Sequence, residues 1–144
     1  MDLQTPLAKI MTKAIQSVGQ NDVFSDFSHL FASQSIHHIP VVNNNLKPVG
    51  IISTHDYNTL KHHFSNMDWS KEQSQMENDR LFQSLLAKDI MVENPICLHE
   101  DAPVKDAIKL FLENKIHSTI ICNDSGQCVG IVTPYDILKF IYHK

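Results

Sequence analysis

Two short segments carry residue types whose spacing allows chemistry: Ser53-Thr54-His55-Asp56 and Thr133-Pro134-Tyr135-Asp136. Each sets a hydroxyl directly after an apolar run, Val49-Gly50-Ile51-Ile52 or Val129-Gly130-Ile131-Val132, and a carboxylate three residues later. One reading is a capping box, in which the hydroxyl caps a helix and the acid reaches back to the cap's N–H. Pro134 at the first helical position suits it. The other reading is a ligand site. A strand feeding a helix leaves free N–H groups and a positive dipole end at the junction, a natural seat for phosphate. An aspartate one turn in can accept both hydrogen bonds of a ribose diol. Hydroxyl, helix start and carboxylate together describe the phosphate and sugar of a nucleotide. Gly50 and Gly130 would let a flat base approach the backbone.

Other reactive side chains are less organised. Of nine histidines, His37-His38 and His62-His63 are adjacent pairs, which diverge on either a strand or a helix. No metal site is expected from that spacing. His37, His38 and His117 are candidates to meet a phosphate; the alternative is that His37 and His117 are half-buried strand histidines bonded to backbone. Cys97, Cys122 and Cys128 lack a CxxC pair and fit a reduced protein, although Cys122 and Cys128 can oppose each other across a hairpin. No P-loop and no nucleophile–base pair is present, so no catalytic residue is assigned.

The elements that must position these groups follow from an internal repeat. Sliding the chain by 80 residues matches Ile10/Ile90, Met11/Met91, Asp26/Asp106, Phe31/Phe111, His37/His117, Gly50/Gly130 and Asp56/Asp136, among others. Each copy begins with a short strand, Ile15–Val18 or Ile96–Leu98. A helix follows, with Asn21 or Asp101 as the expected N-cap and Pro103 in the first turn. Two strands come next, 39–42 and 49–52, then 119–122 and 129–132, each pair joined by a polar turn. A second helix ends each copy, with Tyr57, Leu60, Lys61 and Phe64 on one stripe and Ile137, Leu138 and Ile141 on the other. The expected architecture is α+β: two β-α-β-β-α repeats packed with pseudo-twofold symmetry. The first spans 1–64, a linker with a short helix at Leu81–Ala87 spans 65–86, and the second spans 87–144. Trp69 in the linker is a candidate either to anchor a partner protein or, the commoner case, to cover the core.

Composition narrows the partners. A net charge of −4 with a single arginine, Arg80, argues against nucleic acid. No apolar run of membrane-spanning length occurs, and nothing at the N-terminus reads as a secretory signal. The expectation is a cytoplasmic protein without membrane insertion.

In these residues the chain resembles a tandem pair of CBS domains, the regulatory modules named after cystathionine β-synthase. The resemblance rests on the Ile-Met openings, on Ser35-Ile36-His37-His38-Ile39-Pro40-Val41-Val42 and on the paired Gly-to-Asp segments, over about 10–64 and 87–142. It departs at Ile120, where the first copy has Pro40, and at Ser35 and Lys115, where the family often has glycine. What it implies is a non-catalytic sensor holding an adenosine-containing regulatory ligand (AMP, ADP, ATP or S-adenosylmethionine) in the cleft between the repeats, with no other cofactor. By that resemblance Asp56 and Asp136 hold ribose hydroxyls, Ser53 and Thr133 contact phosphate, and the backbone near Ile15 and Pro95 lines the adenine. A homodimer and an unidentified regulated protein are the implied partners. The alternatives are a structural interaction module with empty clefts and, further off, a metal- or thiol-dependent enzyme.

Overall fold

The computed structural model describes residues 2–32, 36–65, 80, 83–114 and 116–143, without the side chains of 63–65. After a 3-10 turn at Leu7–Lys9, the chain runs through β1 (Val18–Gly19), α1 (Phe24–Phe27) with a 3-10 continuation (Ser28–Ala32), β2 (His38–Val42), β3 (Pro48–Ser53) and α2 (Thr54–Ser65). Then come α3 (Ala87–Ile90), β4 (Val92–Glu93), β5 (Cys97–His99), α4 (Val104–Asn114), β6 (Thr119–Cys122), β7 (Cys128–Val132) and α5 (Pro134–Tyr142). This is a mixed α+β fold with two sheets, ordered β1-β2-β3-β4 and β5-β6-β7. Trp69 lies outside the described residues. Among the described residues no helix is long and apolar enough to cross a membrane.

The chain divides into two compact units that do not follow its repeats. The C-terminal unit takes Met1–Gln16, Asn44–Pro48 and Asn94–Lys144; the central unit takes Ser17–Asn43 and Val49–Glu93. In the C-terminal unit β5 runs parallel to β6 and β6 antiparallel to β7. Alternate residues therefore share a face, and Leu98, Ile121 and Val132 turn toward α4 and α5. Val104, Ala107, Ile108 and Phe111 on α4 meet Ile137 and Phe140 on α5 in the same core. Leu7, from the start of the chain, is fully buried among them. Its leader is stitched in by Leu7 N–H to the Ala102 carbonyl (2.8 Å), Ala8 N–H to Glu100 (2.9 Å) and Val104 N–H to Thr5 (2.8 Å). Thr12 then extends the sheet by a reciprocal bridge to Ile131, at 2.9 and 3.1 Å.

The central unit repeats this plan with the other leader. Phe24 N–H donates to the Leu85 carbonyl (2.7 Å), Ala87 N–H to Asp22 (2.9 Å) and Lys88 N–H to Gln20 (2.9 Å). Strand β4 pairs antiparallel with β3, Gly50 against Glu93 and Ile51 against Val92. The core gathers Val18, Phe24, Phe27, Phe31, Ile39, Val41, Ile52 and Ala87. Phe31 stacks on Tyr57 at 5.3 Å, and Phe24 meets Phe27 edge-on at the same distance.

Several local expectations are corrected. Asn21 and Asp101 do not cap the helices after the first strands, because α1 and α4 begin at Phe24 and Val104. Instead Asp22 folds back onto Gly19 N–H at 2.7 Å, and Asp101 N–H donates to His99 Nδ1 at 3.1 Å, so these acidic loops close as turns. The first strand is shorter than Ile15–Val18 because only Val18 and Gly19 pair with β2. The first-copy helix loosens into a 3-10 turn, as Ser25, Asp26 and Ser28 favour turns over helix interiors, whereas α4 carries Ala107, Leu110 and three other strong formers, Lys105, Lys109 and Leu112. Of the expected Leu81–Ala87 helix, the described residues Gln83 and Ser84 are helical, but Leu85 and Leu86 are not, and a separate helix, Ala87–Ile90, enters the second copy with Asp89 Oδ2 accepting Leu86 N–H at 2.9 Å.

Candidate functional site

The central unit brings Ser53, the last residue of β3, to the start of α2. Ser53 N–H and Oγ–H both donate to Asp56 Oδ2, at 2.8 Å each, and Asp56 N–H donates to Ser53 Oγ at 3.1 Å. The capping box is thus closed, and it uses one carboxylate oxygen. Among the described residues nothing donates to Asp56 Oδ1, and Asp56 is half-buried. Thr54 ties this helix start to the chain entering β2: its N–H and hydroxyl donate to the His37 carbonyl at 2.8 and 3.2 Å.

The C-terminal unit builds the matching junction differently. Thr133 N–H and its hydroxyl donate to Asp136 Oδ2 at 2.8 and 3.1 Å. Asp136 Oδ1 accepts the Thr12 hydroxyl at 3.2 Å, and Asp136 is only 7% exposed. Thr12 is placed there by its bridge to Ile131. At the 80-residue offset Thr12 becomes Val92, which bridges Ile51 but has no hydroxyl to offer. One aspartate therefore has both oxygens engaged within the fold, and the other has one oxygen to which no described residue donates.

The remaining sequence candidates are distributed between the units. His37, His38, Ser53 and Asp56 belong to the central unit; Ile15, Pro95, His117, Thr133 and Asp136 belong to the C-terminal one. His37 and His117 precede their strands and are exposed, so neither is a half-buried strand histidine; His38, on β2, is half-buried. Ile15 and Pro95 are half-buried and lie outside the strands, with the Pro95 carbonyl accepting the Cys97 thiol at 3.5 Å. The expectation that Gly50 and Gly130 admit a base is corrected. The space beside Gly130 holds Met11, and that beside Gly50 holds Met91.

Two groupings went unseen in the sequence. Thr12 reaches Asp136 across 124 residues, a contact no local pattern announces. His99, Asp101 and Asp124 can bring one ligand atom each within 4.8 Å of one another. Since Nδ1 of His99 accepts Asp101 N–H, Nε2 carries the proton and donates to Asp124 Oδ1 at 2.6 Å. The trio is occupied as a hydrogen-bonded clamp between β5 and the β6–β7 turn.

The sequence model of the CBS domain matches residues 7–58 and 87–143. Protein MJ1232 of Methanocaldococcus jannaschii is 30% identical over 132 residues, which cover 92% of this chain and 38% of that protein. The chain thus spans well under half of that relative's length. Among solved structures, the CBS-pair protein CBSX2 from Arabidopsis thaliana aligns with a TM-score of 0.76 at 19% identity, over 96% of this chain and 95% of that one. CBSX2 is also known in complex with AMP. The CBS domain pair of protein MJ0100, in complex with 5-methylthioadenosine and S-adenosyl-L-methionine, aligns with a TM-score of 0.70 at 24% identity, over 95% and 99%. With both sequence copies matched and the fold shared along nearly the whole chain, the protein belongs to the CBS domain family, as a tandem pair.

Proposed function

We propose that this CBS pair is a non-catalytic regulatory module that binds an adenosine-containing ligand and signals its level to a partner protein. The observation that carries the proposal is the helix start at Ser53 and Asp56, where capping consumes Oδ2 and leaves Oδ1 for a ribose hydroxyl. Ser53 and the α2 N-terminus, with His37 and His38 in the same unit, are the groups for a phosphate. In the C-terminal unit Asp136, Thr133 and His117 hold the equivalent roles, with the backbone near Ile15 and Pro95 for adenine. Support comes from the AMP complex of CBSX2 and the methylthioadenosine and S-adenosylmethionine complex of MJ0100.

A second reading attaches to the C-terminal junction alone. Burial of Asp136 and its bond to Thr12 favour a structural cap there, which makes the two junctions unequal as ligand sites. The module is further proposed to pair with a second copy through α5, where Tyr135, Leu138, Ile141 and Tyr142 are exposed apolar residues on a helix of nine. On α2 that role does not extend to Tyr57 and Leu60, which pack against the central core.

Thermal unfolding against AMP, ADP, ATP and S-adenosylmethionine tests the reading. A ligand at about 100 times its Kd adds about 2.7 kcal/mol and raises the midpoint by several degrees. No shift with any of the four overturns it.

A further inference from the structure

All three cysteines of the chain come together on one face of the β5-β6-β7 sheet. Leu98, Ile121 and Val129 point into the helical core, so Cys97, Cys122 and Cys128, each one residue away along its strand, point to the opposite face. Cys122 and Cys128 are direct partners in the register of β6 and β7, beside a bulge. The turn between them fixes what kind of pair they form. Asn123 N–H donates to the Gln127 carbonyl and Gly126 N–H to the Asn123 carbonyl, both at 3.0 Å, with Gly126 at φ 76°. Asn123 and Gln127 are therefore a hydrogen-bonded pair closing a three-residue loop. The next pair outward, Cys122 and Cys128, does not exchange backbone bonds: Cys128 N–H donates to the Leu46 carbonyl and the Cys122 carbonyl accepts Glu100 N–H.

That distinction decides whether sulfurs can join. Cα atoms of a non-hydrogen-bonded pair stand about 4.5 Å apart, inside the span a disulfide bridges, about 4.4–6.8 Å. Cys97 and Cys122 are diagonal neighbours instead, since Cys97 pairs with Ile120 and Cys122 with His99. Two residues of strand rise, about 6.6 Å, across a strand separation of about 4.8 Å set their Cα atoms about 8 Å apart, beyond that span. Cys122 and Cys128 are both partly exposed, so a small oxidant can reach them.

We propose that Cys122 and Cys128 are a redox modification site, forming a reversible cross-strand disulfide at the turn end of the β6–β7 hairpin, with Cys97 as the neighbouring thiol that stays reduced. The oxidant class is a small disulfide. The Cys122 thiolate attacks one of its sulfurs, the oxidant's S–S bond breaks, and one thiol leaves with the electron pair and a proton. Deprotonated Cys128 then attacks Cys122 Sγ in the mixed disulfide, expelling the second thiol. Two protein thiols lose two electrons and two protons, which the oxidant gains. Cys122 is the attacking sulfur because the Cys97 side chain beside it favours its thiolate, partly offsetting burial, which raises it.

The folded chain, treated with 2-hydroxyethyl disulfide and then alkylated, tests this by intact mass and peptide mapping. The expected product lacks two mass units, carries one alkyl group on Cys97 and yields a Cys122–Cys128 linked peptide. Cys97→Ser keeps the link and forms it more slowly. Cys122→Ser and Cys128→Ser lose it, with circular dichroism confirming that each is folded. A Cys97–Cys122 link, a link between two chains, or three alkylated thiols in the wild-type chain overturns the proposal.

Discussion

Met11 fills the space that a side chain on Gly130 would need. A Cβ at Gly130 would stand 2.5 Å from Met11 Sδ, 2.9 Å from its Cγ and 3.0 Å from the Thr12 carbonyl oxygen. Met91 does the same at Gly50, its Cγ and Cβ at 2.7 and 2.9 Å. Methionine and glycine recur in both copies, yet each methionine meets the glycine of the other copy.

Gly130→Ala is accordingly expected to cost about 1–3 kcal/mol through overpacking. The Thr12 carbonyl is backbone and cannot turn aside, so shortening the methionine gives only partial relief. Urea unfolding should place the double variant Gly130→Ala, Met11→Ala closer to Met11→Ala alone than additivity allows.

Thr12→Val removes the donor to Asp136 Oδ1 while keeping the side-chain volume. A part-buried carboxylate that loses a hydrogen-bond partner should cost about 1–2 kcal/mol in chemical denaturation. Val92→Thr, the reverse change at the matching position, is expected to supply a hydroxyl near Asp56 and to lower any affinity that depends on its Oδ1.

Asp56→Ala and Asp136→Ala should separate capping from binding. Both lose a reciprocal cap, costing about 0.5–2 kcal/mol, and Asp136→Ala costs more because its carboxylate is buried and also holds Thr12. The thermal shift produced by an adenosine ligand should vanish in Asp56→Ala. Its persistence there, with loss only in Asp136→Ala, would reverse the assignment of the two junctions.

The cysteines predict a response to alkali. Burial, chiefly, pushes Cys97 from an ordinary 9.0 to about 12 and Cys128 to about 11; burial also raises Cys122. The folded state thus holds its thiol protons where the unfolded chain has released them. Stability from these groups is full below about pH 9 and falls as pH rises toward 11–12, since above pH 9 the unfolded state binds fewer protons. Alkylation of the folded chain should quicken about tenfold per pH unit from 7 to 9, yet stay far slower than in urea.

Much of this was legible in the sequence, because the features were local or periodic. The 80-residue offset located all four hairpin strands to within a residue, and the Ser53/Asp56 and Thr133/Asp136 spacing announced both capping boxes. The resemblance to CBS pairs came from the same segments. What escaped was the destination of the leaders. Leu7 and Ala87 are fully buried apolar residues in short segments with too few turns to display a periodicity, and each packs far from its sequence neighbours. Thr12 stayed invisible for the same reason. Asn21 and Asp101 misled because an acidic or amide residue before a helix suits a turn as well as a cap.

The exchange of leaders bears on how the chain can be dissected. A fragment ending at residue 64 would carry Leu7 without the pocket that receives it, and would lack Ala87 from its own core. Nicking the stretch between α2 and α3 severs the central unit internally and leaves the C-terminal unit's three segments still tethered through it at residues 16–17, 43–44, 48–49 and 93–94. Neither copy is a removable cassette, so a transplant into another protein must take the pair, leaders included.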